Sequence, residues 1–132
     1  MGFKFVKSVS GENYPVQRTV ATTAATAIPA DAAISMTGGK AVLATGTTRP
    51  LYISLGSVAA SAAPPATPVQ VVVSHHVYET TFSAGAGAVN ESDRVTIHTD
   101  GLQVTATTTG GIARVVRKFG DAAGSRVWVR FD

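Results

Sequence analysis

The chain has 132 residues, enough for one domain with one adequate core, and its lack of cysteine excludes a disulfide framework and thiolate metal sites. Charged residues make up 14% and hydrophobic residues 45%, largely Ala and Val, with a formal net charge of +3. Typical domains carry about 25% charge, so a surface this poor in charge points to burial in an assembly.

Residues 1–22 read as an N-terminal arm. Met1-Gly2 opens like a myristoylation start, but Val6 stands where Ser or Thr is required. The opening has lysines without an apolar run or a small-residue cleavage site, so no secretory signal is expected. Phe3 and Phe5 alternate with Lys4, Val6 and Lys7, and Tyr14-Pro15 marks the exit of the arm. Exposed aromatics in a flexible arm need a partner. Phe3, Lys4, Phe5, Val6 and Lys7 are therefore candidate binding residues, and Tyr14 is a candidate interface residue.

Residues 23–132 read as a β-rich domain. The Ala-rich stretch 19–36 is broken as a helix by five residues, Thr19, Thr22, Thr23, Thr26 and Pro29. The segment 57–63 fits one or two helical turns before Pro64-Pro65, and 61–68 reads as a semi-rigid connector. Elsewhere the pattern has period two. Strands are expected over 3–9, 40–46, 50–56, 94–99, 102–108, 112–119 and 126–131, with 69–82 a buried strand running into a second one. Asp100-Gly101 predicts a hairpin with a type I′ turn. Short strands at this spacing predict an all-β fold, a single β-sandwich or β-barrel-like domain with a flexible N-terminal arm.

Chemical motifs are sparse. Gly85 and Gly87 begin a dinucleotide-type fingerprint, but Asn90 occupies the third glycine position and no helical pattern follows, so a loop is expected. Gly38-Gly39-Lys40 lacks the P-loop spacing. His75 and His76 are adjacent and would point to opposite faces of a strand. A site combining one of them with His98 and Glu79 is therefore outweighed by a surface or interface role, and no metal or cofactor is expected. Glu91, Asp93, Asp100 and Asp121 fall in or beside loops without acid/base geometry. No G-x-S-x-G elbow occurs. Trp128, the only tryptophan, alternates with Val127 and Val129 and is a candidate interface anchor.

The sequence pI of about 9.6 meets one criterion for nucleic-acid binding. The cations are scattered along the chain, however, with only Arg114, Arg117 and Lys118 close together. Neither nucleic acid nor membrane is an expected partner.

The stretches "ADAAISMTGGKAVLATGTTRPLYISLGS" (30–57), "SDRVTIHTDGLQVTATTTGG" (92–111) and "GSRVWVRFD" (124–132) resemble small head-decoration, or capsid cement, proteins of tailed bacteriophages. The likeness covers residues 30–132 and carries no catalytic signature. It implies a non-enzymatic, trimeric, β-rich protein on the virion exterior, whose partner is the major capsid protein. It also implies an N-terminal arm that adds a strand to the coat, a role that "GFKFVKSV" would serve. Alternatives from the same reading are another phage structural part (tail tube, head completion or fibre-associated domain) and a surface carbohydrate-binding module.

Overall fold

The computed structural model describes residues 2–9 and 15–132. Among them there are ten strands and no helix: β1 (Lys4–Ser8), β2 (Gln17–Val20), β3 (Ala33–Thr37), β4 (Lys40–Leu43), β5 (Tyr52–Ser54), β6 (Thr67–Val71), β7 (His76–Thr81), β8 (Arg94–Val95), β9 (Ala113–Lys118) and β10 (Arg126–Arg130). They form two five-stranded antiparallel sheets, ordered β1-β7-β10-β9-β8 and β2-β6-β5-β3-β4. The expected all-β sandwich is therefore present. The apolar run 69–82 supplies one strand to each sheet, β6 to the second and β7 to the first, and the chain crosses between them at 72–75.

The main core lies between the sheets. Tyr78, Val115, Val127 and Val129 from the first sheet meet Ala33 and Ile53 from the second, with Phe3, Phe82, Val95, Ile97, Val104 and Phe131 filling in. A second core forms on the far side of the second sheet. Ile34, next to Ala33, points the other way and packs with Val20, Ala41, Val69, Ile28 and Val58. Ile28 and Val58 are joined by an antiparallel bridge, and the 57–63 segment forms no helix. With apolar residues on both sides, β3 shows no alternation and disappears into the Ala-rich tract. β2 is hidden for the opposite reason: three of its four residues are exposed on a sheet edge.

The N-terminal segment is not a free arm in its described parts. β1 is an edge strand of the first sheet, paired with β7, and β2 is an edge strand of the second. The Phe3 amide donates to the Asp31 carbonyl at 2.7 Å, and the Phe3 ring is wholly buried. Gly2 has φ of 112°, and a Cβ there would lie 2.5 Å from that of Asp31, so the backbone can lie this close only as glycine. Hydrophobic burial has recruited the segment into the sandwich.

The hairpin at Asp100-Gly101 closes differently from the expected type I′ turn. The Gly101 amide donates to the His98 carbonyl at 3.0 Å, and the His98 amide to the Gln103 carbonyl at 2.8 Å. Only Gly101 has positive φ, 69°. The Asp100 carboxylate accepts bonds from the Leu102 amide (2.8 Å) and Gln103 Nε2 (2.9 Å), which fixes the turn through a side chain. Residues 102–108 pair through isolated bridges, Ile97 with Val104 and Phe82 with Val104, rather than as a strand. Thr96 and Thr105 share a hydroxyl–hydroxyl bond of 2.7 Å.

Candidate interaction surface

Alternation in the first sheet sends Tyr78, Val115, Val127 and Val129 inward, and Glu79, Arg114, Trp128 and Arg130 outward. Two bulges then modify the pattern. In β1, Phe5 pairs with Tyr78 and Lys7 with Val77, so Val6 is an extra residue. In β9, Val115 pairs with Val129 and Arg117 with Trp128, so Val116 is an extra residue. An extra residue reverses the facing of those that follow. Lys7 and Arg117 would otherwise share the inward face with Phe5 and Val115. The bulges instead place both cations on the outer face beside Trp128.

The Lys7 ammonium lies 5.5 Å and the Arg117 guanidinium 6.0 Å from the Trp128 ring centroid. Phe119, just past β9, meets Trp128 edge-on at 5.3 Å. Arg117 and Arg126 lie over the Phe119 ring at 4.9 Å and 4.7 Å. The indole N–H donates to Glu79 Oε2 at 3.0 Å, and the same carboxylate pairs with Arg126 at 3.5 Å. Phe119 is among the exposed large hydrophobic residues.

Farther along the same face, three guanidiniums converge on one carboxylate. Arg114 Nε reaches Asp132 at 2.8 Å, and Arg94 and Arg130 each reach it at 3.2 Å. Partial burial alone would raise the Asp132 carboxyl. The hydrogen bond and charge of Arg114, aided by Arg94 and Arg130, outweigh it and hold the group below the ordinary carboxylate range.

Lys4, opposite Glu79, also faces this side but is paired with Asp31. Apart from that pair, the outer face carries six cations, Lys7, Arg94, Arg114, Arg117, Arg126 and Arg130, against two carboxylates, Glu79 and Asp132: a local excess of four positive charges. The other five cations and six carboxylates leave the remaining sequence at minus one. Cations that look scattered along the chain are gathered by the sheet. Lys7 and Arg117 have no ion-pair partner among the described residues.

Of the sequence-predicted candidates, Lys7 and Trp128 come together on this face. Phe3 is in the core, edge-on to Phe131 at 5.4 Å. Phe5 is half-buried against His76 and Tyr78. Val6 is the bulge residue, and Lys4 pairs with Asp31 at 3.2 Å. Tyr14 lies outside the described residues. Arg94, Phe119, Arg126 and Arg130 were not candidates, because their common face depends on strand order and on bulges without a glycine to announce them.

The remaining motifs are structural. Lys118 holds the 83–93 loop through the carbonyls of Ala86 (2.9 Å) and Val89 (2.7 Å) and pairs with Asp121 at 2.6 Å. The glycine-rich stretch is thus a clamped loop with no helix after it. His76 is buried, 2% exposed, against the expectation of a surface or interface histidine. No group of three or more metal-ligating side chains occurs among the described residues, and no helix there is long and apolar enough to cross a membrane. Neither family models nor curated proteins provide a match to the chain.

Proposed function

We propose that this protein is a head-decoration protein of a tailed bacteriophage. It binds the outer surface of the capsid as a homotrimer and clamps neighbouring major capsid protein subunits, without enzymatic activity. The observation that carries this reading is the outer face of the first sheet, where aromatic rings are displayed beside cations with no ion-pair partner among the described residues, as at many interfaces. The sequence resemblance over residues 30–132 supplies the class of partner.

The carboxylates add support. Each of the seven in the described residues is engaged in a structural contact: Asp31 with Lys4, Glu79 with Trp128, Glu91 with the Lys118 amide, Asp93 with the Asn90 amide, Asp100 with Leu102, Asp121 with Lys118, and Asp132 with three arginines. That pattern suits a scaffold better than acid/base chemistry. Trp128 is also a poor sugar platform, because its ring is attended by Lys7, Arg117 and Phe119. This favours the decoration reading over a carbohydrate-binding module.

A clamp that binds the assembled lattice and not free coat protein stabilises the lattice by linkage, and repetition over the shell multiplies modest contacts. The test is to omit the protein from particles and follow rupture temperature and DNA release. Particles that lack it should rupture at lower temperature and recover when the purified protein is added back. Equal rupture with and without saturating protein would falsify the decoration reading.

A further inference from the structure

We propose that the outer face of the first sheet docks an acidic protein surface, with the partner's carboxylates received by Arg117, Arg126 and Lys7. The identity of the partner as a coat protein rests on the function proposed above; its acidic chemistry rests on the face itself. Three observations lead there.

The first is charge complementarity. The face holds four positive charges in excess, while the rest of the sequence is slightly negative. An opposed acidic surface is steered toward this side of the molecule and away from the others.

The second is that the face already binds a carboxylate. Arg94, Arg114 and Arg130 grip Asp132 with charge-assisted bonds of 2.8–3.2 Å. That end of the face is satisfied internally. At the other end, Arg117 and Lys7 contact aromatic rings and have no ion-pair partner among the described residues, and Arg126 has a single long pairing with Glu79. Aromatic contact orients a guanidinium while leaving its N–H fork free for a carboxylate.

The third observation separates a protein partner from nucleic acid. Single-strand binding needs open aromatic faces on which bases stack. Phe119 is attended by two guanidiniums and the indole edge, and Trp128 by Lys7, Arg117 and a bond to Glu79. Glu79 in the middle of the patch also opposes a continuous phosphate track. It suits a mosaic protein surface that offers carboxylates at some points and a donor at another.

Trp128 is the only tryptophan and reports directly from the patch. Its fluorescence would be followed while the full chain is titrated with poly-L-glutamate or with oligothymidylate of equal charge, at low and high salt. Poly-L-glutamate should bind more tightly than oligothymidylate and should weaken as salt is raised. The variant Arg117→Gln/Arg126→Gln should bind poly-L-glutamate about tenfold more weakly, while Arg18→Gln on the second sheet should bind as the parent does. Thermal melting of each variant confirms that it is folded. Equal or tighter oligothymidylate binding, no binding of poly-L-glutamate, or an unchanged double variant would overturn the proposal. Because the probe is soluble, the outcome does not depend on whether capsids are the biological partner.

Discussion

Phe3 and Phe131, close to opposite ends of the chain, meet edge to face with their ring centroids 5.4 Å apart, and both are fully buried. Tyr78 completes the group, 5.7 Å from Phe131. The contact links the segment before β1 to the end of β10 through the core between the sheets. Phe3→Ala should therefore lower unfolding stability by about 3–5 kcal/mol, the usual cost of deleting a buried aromatic ring. Urea denaturation measures it. A loss below about 1 kcal/mol would place Phe3 back in a peripheral arm.

That contact also marks what the sequence could and could not convey. Period-two patterning makes β1, β4, β5, β9 and β10 legible, and the long β-branched apolar run 69–82 does the same for β6 and β7. Patterning fails for β3, which is apolar on both sides, and for β2, which is polar because it lies at an edge. Two phenylalanines among lysines look like an exposed arm until their core is known, and that core is assembled from strands far away in sequence. Trp128 and Lys7 were readable as interface residues one by one. Their meeting was not, since it needs the neighbours of β7 and β10 and an extra residue at Val6.

The outer-face cations are expected to behave in the opposite way to Phe3. Arg117 is exposed, with aromatic contacts at 4.9 Å and 6.0 Å and no ion-pair partner among the described residues. Cation–π contacts at exposed sites contribute about 0.5–1 kcal/mol. Arg117→Ala should thus shift the unfolding midpoint slightly while weakening attachment to particles. A large stability loss in chemical denaturation would show that the arginine serves the fold.

Lys118 is the converse case of a cation turned to structural use. It holds two loop carbonyls and Asp121 from a largely buried position. Lys118→Met keeps most of the aliphatic stem and removes the donors. The expected cost is about 1.5–3 kcal/mol, the range for hydrogen bonds to a charged group. Limited proteolysis should then cut within 83–93 faster than in the parent, because the loop has lost its clamp. Unchanged cleavage would mean that the loop is held by its own backbone bonds, such as that from the Ala86 amide to the Asp121 carbonyl.

His76 gives the fold a pH dependence of predictable sign. It is buried at the start of β7, and neither ring nitrogen has a hydrogen-bond partner among the described residues. Phe5 packs on it at 5.0 Å and His75 at 4.9 Å. Burial, and then the charge of His75, push its pKa below the ordinary histidine value of 6.5. The unfolded chain, with its histidine near that ordinary value, therefore takes up a proton at a pH where the folded protein does not. Above pH 6.5 both states are neutral there and the group is silent. As pH falls through 6.5, the unfolded state is favoured, and stability drops until the folded-state pKa is passed. Each unit of depression contributes about 1.4 kcal/mol to the drop. Asp132 acts in a lower window, since its depressed pKa gives stability that is lost only as the pH falls through that folded-state value. Urea midpoints at pH 7.5 and 5.5 therefore isolate the histidine. The parent should be less stable at pH 5.5, and His76→Leu, which has no imidazole to protonate and no unpaired buried nitrogen, should lose most of that difference. A variant with the parent's slope would show that His76 is not the source of the acid sensitivity.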